Sequence, residues 1–380
     1  MRKEDIKVNE EEAQLLLSSQ EHKKKFARWM LFFSIAMVAT VISILINYLV
    51  FFPWQNPGKV IWQGEQLIAF IICIFLLLSA VVFSIIYFWF TLKVKHDDIN
   101  QKEKAILAIG FTGGFTDTIG VGSFGVITGL LKGTKAIKDD TKLPGTLNVA
   151  LGVSALIESA LFVGSIQVNI ATLLILVIAI ICGTFVGSLF VSKIKDQTSI
   201  KIIMGVALFF VAILMILTHP QVNVISTSNI GDKTSLMDKP WRIIVGTIVF
   251  FFLGMIQSFG IGLYAPAMAT LSFLGLQQEV VFPIMACGSA LCMLPAAHTF
   301  IKRKKYLQQT SNLIMISAIF GVVCSFLLIF VGLQMGAGMD KRTFDIVLKW
   351  LAIAVIFYVS ISMLVEFYLI KKRQKINKGE

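Results

Sequence analysis

Eight runs of about 18 or more mostly apolar residues recur along this 380-residue chain, near Phe26–Phe52, Leu67–Leu92, Pro144–Val163, Ile170–Val191, Ile200–Leu217, Val280–Ile301, Leu313–Leu333 and Phe344–Ile370. Each is long enough, as a helix, to cover the hydrocarbon core of a bilayer, and so many in one chain rule out a water-soluble globule. With 56% hydrophobic and 15% charged residues, the expected fold class is an all-α polytopic membrane protein. The polar start carries Lys23, Lys24 and Lys25 directly before the first run, without the short apolar core and small-residue site of a cleaved leader, so that run is expected to stay as a transmembrane helix. Cys73, Cys182, Cys287, Cys292 and Cys324 lie inside apolar runs without CxxC or histidine spacing, and read as small buried hydrophobes.

Two further apolar segments, Ala105–Leu131 and Ile243–Leu276, are broken by glycine, proline and polar residues. The first contains GFTGGFTDTIGVGSFGVITGLLKG, with eight glycines and one aspartate between Gly110 and Gly133. Glycine weakens a helix interior by roughly 1 kcal/mol against alanine, and an ionisable group at membrane depth costs more. Simple spanning is not the purpose of such a segment. Shifted by 140 positions, Gly114, Thr118, Gly120 and Gly122 align with Gly254, Ser258, Gly260 and Gly262, and Pro144 and Pro283 follow near the start of the next span. Each half thus reads as one interrupted segment followed by three plain spans.

Charge decides how the interrupted segments cross. If both are re-entrant, all but seven of the 34 lysines and arginines fall on one face, the exceptions being Lys59, Lys233, Lys239, Arg242, Lys341, Arg342 and Lys349. Full crossing spreads the charge more evenly, so the positive-inside rule favours re-entrance, with both termini cytoplasmic in the plasma membrane. One re-entrant element plus three spans is an odd number of crossings, so the halves become inverted repeats preceded by an N-terminal two-helix hairpin. The expected divisions are a cytoplasmic tail at 1–25, an accessory hairpin at 26–92, a first repeat at 93–218, an extracytoplasmic loop at 219–240, a second repeat at 241–371 and a cytoplasmic tail at 372–380. The net charge of +12 is then a topology signal that touches lipid headgroups, not a nucleic-acid footprint.

Inverted repeats with broken helices are an architecture of secondary transporters, in which half-helix N-termini face the substrate. No lysine or arginine lies in the middle of a span, so an anion would be held by backbone N–H groups, helix ends and hydroxyls. The expected substrate-binding residues are Gly114, Thr116, Thr118, Gly120, Gly122 and Ser123 in the first segment, Gln257, Ser258, Gly260, Gly262 and Tyr264 in the second, and Asn148 and Ser289 from the spans that follow. Hydroxyls in membrane helices often satisfy a neighbouring carbonyl instead. Asp117 is the most informative residue, because a carboxylate beside an anion repels it unless protonated, a conflict that a proton-coupled cycle would use; Glu158 is the second candidate for proton coupling. Capping of a half-helix by Asp117 and snorkelling of Glu158 to the interface are the plainer alternatives.

The paired occurrence of GFTGGFTDTIGVGSFG and GMIQSFGIGLYAP, each opening a half, resembles the TauE/SafE family of membrane proteins over about Ala105–Ile370. The resemblance implies an exporter or importer of sulfite, a sulfonate or a related small organosulfur anion. Where many members carry further glycines, this chain has Ser123 and Phe124 in one half and Leu263 and Tyr264 in the other, and these bulkier side chains reshape the pocket. A transporter of a small cation or metal ion, held by ionised Asp117, is the alternative. An intramembrane enzyme is disfavoured, since no HExxH, GxSxG or Walker A motif is present, and the four histidines lie near loops or ends. No cofactor or metal site is expected; the expected partners are the small-molecule anion and membrane lipid, with a homodimer as one open assembly.

Overall fold

A computed structural model describes residues 31–44, 64–93, 102–118, 122–137, 139–162, 169–194, 196–217, 235–262, 278–328 and 341–377, with a few isolated positions between them. In order these residues form helices α1 (Leu31–Ile44), α2 (Gly64–Lys93), α3 (Glu103–Thr118), α4 (Ser123–Gly133), α5 (Leu143–Phe162), α6 (Ile170–Val191), α7 (Gln197–Leu217), α8 (Pro240–Gln257), α9 (Gln278–Lys302), α10 (Gln308–Ser325) and α11 (Lys341–Asn377). No strand element occurs among them, and six helices are long and apolar enough to cross a membrane. Polar residues at the starts set several boundaries: Asn169 accepts from Thr172 N at 3.0 Å, Asp196 from Thr198 N and Ser199 N at 3.1 Å, and Pro240 opens α8, where its missing N–H costs nothing.

The first interrupted segment is a helical hairpin. Gly113 of α3 faces Ile127 of α4, Asp117 meets Ser123, and Lys102 Nζ reaches Thr134 O at the open end, so α4 runs back along α3. The turn needs Gly122 at φ 90°, a left-handed conformation that a side chain would strain. In the second segment α8 ends at Gln257, and the chain reverses through Gly260 at φ 81°.

Helix directions follow from which residues touch. α3 and α10 run parallel, since Gly110 packs on Ile314 and Gly114 on Ala318; α6 and α8 run parallel, with Gly183 on Phe251 and Gly187 on Met255. These are backbone-to-backbone approaches, the close packing by which helices associate where water supplies no hydrophobic drive. Thr184 Oγ1 adds a hydrogen bond to Gly254 O at 3.0 Å, and Ser258 Oγ one to Thr184 O at 2.9 Å. α5 and α10 are parallel, since Ser311 Oγ donates to Thr146 O at 3.2 Å near their starts and Phe162 meets Phe326 near their ends. α5 and α9 are antiparallel: Gly145 sits against Lys305, and Ser159 Oγ donates to Ala286 O at 2.8 Å. α7 and α11 are antiparallel as well, with Ser360 Oγ bonded to Gly205 O at 2.7 Å and Phe209 edge-on to Phe357.

α5 is the central element, with 94% of its span buried by other helices, whereas the spans of α2 and α8 are 28% buried and present most of their surface outward. The accessory hairpin joins through Phe33 on Phe88, and docks by Phe83 on Gly152 of α5 and a hydrogen bond from Tyr87 to Asn312 of α10. Two expectations change in detail. Cys182 is exposed on α6, unlike buried Cys73, Cys287 and Cys292, because its helix turns that face away from the bundle. α10 starts at Gln308, five residues before the apolar run, because the polar residues Gln308–Asn312 are buried against α5 and its neighbours.

Candidate functional site at the tips of the interrupted helices

At the tip of the first hairpin the Asp117 carboxylate accepts from Ser123 N at 2.9 Å through one oxygen and from Ser123 Oγ at 2.8 Å through the other. It thereby satisfies the first N–H of α4, whose orphaned N-terminal donors favour a negative group. The Glu158 carboxyl lies beside that of Asp117, and the two residues are 1% and 4% exposed. Asp117 thus caps a half-helix, the plainer of its two sequence readings, and also forms part of a buried acid pair. Glu158 does not snorkel, since it faces α3 across the bundle.

The second tip is chemically different. Gln257, which the 140-residue shift aligns with Asp117, accepts from Cys292 Sγ at 2.8 Å through Oε1 and donates to Ser289 O at 3.4 Å through Nε2. Gln257 is fully buried and Ser289 nearly so. The tips approach one another, because a Cβ on Gly262 would lie 3.9 Å from Phe124 Cβ, while Gly260 faces Leu147, Pro144 and Met204. Gly122 faces open space, with no atom within 4 Å of an added Cβ.

The structure thus brings Asp117, Ser123 and Glu158 together, and separately Gln257 with Ser289. Other expected donors are engaged locally. Thr116 bonds Gly113 O at 3.0 Å, Thr118 bonds Gly114 O at 3.0 Å, Ser258 bonds Thr184 O, and Asn148 Nδ2 bonds Pro144 O at 2.9 Å. Asn148 shares the α5 face of Gly145 and Gly152, directed at α9 and α2, about a quarter turn from Leu147 and Glu158. Gly114 packs on the Ala318 backbone. Gly120 and Tyr264 lie outside the described residues. Cys292, the residue that sequence reasoning set aside as a plain hydrophobe, is the thiol partner of Gln257; its place one turn after Ser289 on α9 is the only sequence signal for it. Among the described residues no group of three or more His, Cys, Asp or Glu side chains could hold a metal ion.

Helices of membrane-spanning length surround a buried acid pair at the tip of a returning half-helix, the build of a polytopic membrane protein. A family model described as Sulfite exporter TauE/SafE matches residues 139–363, more than half of the chain, and the chain belongs to that family. It is a membrane transporter of the sulfite-exporter type. The match begins beyond α4, so the Asp117 hairpin joins the matched region through its packing on α10 and α5. No curated protein and no solved structure matches the chain.

Proposed function

We propose that the protein is a proton-coupled secondary transporter that moves a small anion, of the sulfite or sulfonate class, across the cytoplasmic membrane. The observation that carries this reading is the seat of Asp117 on the N-terminus of α4. A helix end that already holds a carboxylate suits the charge of a substrate oxyanion, and the sequence places no lysine or arginine in the middle of a span to compete for it. When Asp117 takes a proton or swings away, the Ser123 N–H and hydroxyl are released for substrate, with Glu158 as proton partner. Gln257, Ser289 and the glycines of the second tip supply the neutral side of the site.

An inverted repeat accompanies this mechanism. The elements that correspond in the two halves, α5 with α9 and α7 with α11, run antiparallel, and each half lends its middle span to the other half's interrupted segment, α10 to α3 and α6 to α8. α3 and α5 are both parallel to α10, so the chain returns between them, and this supports a re-entrant first segment. The lysine-rich loops then share the cytoplasmic face with both termini. A Gly133→Cys variant should react with an impermeant maleimide from the cytoplasmic side alone, and Met237→Cys, 47% exposed in the parent residue, from the opposite side alone. Labelling of both from one side overturns this topology.

The acid pair also favours a second reading, a small cation bound between Asp117 and Glu158. Melting in detergent separates the two. Sulfite, sulfoacetate or taurine should raise Tm with concentration, by linkage to the folded state. Stabilisation by divalent cations with none by anions would replace the anion reading.

A further inference from the structure

α7 and α11 form a unit of their own. They are joined from end to end by Ser360 on Gly205, Phe209 on Phe357, and His219 stacked on Trp350, whose Nε1 donates to Gln221 at 2.7 Å. Among the described residues neither has an extensive interface with α5, α6, α9 or α10, whereas those four helices pack closely on one another and on α3 and α8. The pair meets the larger body through the two returning segments, Gly125 of α4 on Ile356 and Gly260 beside Met204, and through α7 on the Asp140–Lys142 turn that leads into α5. At the lysine-rich end one side chain spans the boundary. Lys132, closing α4, lies 3.3 Å from Glu366 of α11 and 3.8 Å from Asp140, which leads into α5.

We propose that α7 and α11 move as one body against the other helices during transport, and that Lys132 latches the cytoplasmic side shut by bridging Asp140 and Glu366. This rests on the transporter reading above, but the opening itself can be measured without a substrate. Inside the larger body the α3–α10 and α6–α8 interfaces bring backbone against backbone at glycine, with little side chain to repack, so they resist sliding. The boundary, in contrast, is made by the buried side chains of Ile356 and Met204 against the returning segments and by an ion pair that is part-exposed at Glu366, which can break and re-form at small cost. The larger charge environment at the latch is Lys132, Asp140 and Glu366, with Lys142 and Asp139 on the adjoining turn and Lys371 beyond Glu366 on α11.

Accessibility of a cysteine at Met204, which faces the second tip at this boundary, reads the opening. In inside-out vesicles the maleimide labelling rate of Met204→Cys should rise about two- to five-fold when Glu366→Gln is added, and return toward the parent rate with Glu366→Asp, which keeps the charge. A short thiol-cleavable cross-linker between Lys132→Cys and Glu366→Cys should lower that rate and stop transport until reduced. The same reagent across Phe209→Cys and Phe357→Cys, within the moving pair, should leave both unchanged. An unaltered labelling rate in Glu366→Gln, with the protein still monodisperse in detergent, overturns the latch. Arrest by the Phe209–Phe357 link overturns the rigid pair. Failure of the anion assignment would leave the labelling results standing, so the two proposals fail separately.

Discussion

Asp117→Asn will bind the anion with affinity equal to or better than that of the parent protein, yet will not accumulate it on a proton gradient. Asparagine keeps the shape of the side chain and an oxygen that can accept from Ser123 N, so α4 stays capped, as Asn and Asp serve about equally in that role. It cannot release or take up a proton, and it no longer repels an oxyanion. Loss of coupling should therefore be near complete while the fold and affinity persist. Two other outcomes point elsewhere. A cation bound between the carboxyls would lose a charged ligand, and affinity for it should fall by an order of magnitude or more. A purely structural cap would leave both binding and gradient-driven uptake intact. Affinity and uptake on this one variant, with Glu158→Gln alongside, distinguish the three; full coupled transport by Asp117→Asn would remove Asp117 from the proton path.

The sequence marked this residue because a carboxylate in an apolar, glycine-rich segment has no cheap explanation. Its partner was harder to assign. Glu158 stands near the end of a plain span, and sequence position alone could not separate a residue that reaches the interface from one that faces the bundle; burial of α5 on all sides decides it. The 140-residue shift brought Gln257 into register with Asp117, but the thiol of Cys292 beside it was illegible, since a cysteine in an apolar run is ordinarily packing material. The hydroxyls were the opposite case. Thr116 and Thr118 look like ligands in sequence, yet each has a carbonyl of its own helix within reach, and that bond forms first. Hydrophobic patterning marked five of the six described helices that are long and apolar enough to cross a membrane, because bilayer thickness fixes their length; the sixth, α8, lies in the second interrupted segment. The patterning gave no hint of which span packs on which: α3 with α10 and α6 with α8 depend on glycines that match across more than 200 and 60 residues of chain respectively.

Those glycines divide into two kinds, and substitution will separate them. Gly254 and Gly183 sit where α6 and α8 touch backbone to backbone, and an added Cβ would overlap the Ile180 and Phe251 carbonyl oxygens respectively. Gly321 holds the matching place against Phe111 in the α3–α10 contact. The obstructing atoms belong to helical backbone and cannot rotate aside, so relief requires the helices to part along their length. Gly254→Ala, Gly183→Ala and Gly321→Ala should each cost about 3 kcal/mol or more, at the upper end of overpacking effects, and show as poor recovery or a Tm lowered by many degrees in detergent. Gly262 is different, since its nearest neighbour, Phe124 Cβ, would stand at 3.9 Å, an ordinary contact distance. Gly262→Leu should therefore fold, elute as the parent does and melt within a few degrees of it, but fill the space between the two tips and abolish transport. A stable Gly254→Ala protein would show that α6 and α8 are free to separate, and normal transport by Gly262→Leu would place the substrate path elsewhere than between the tips.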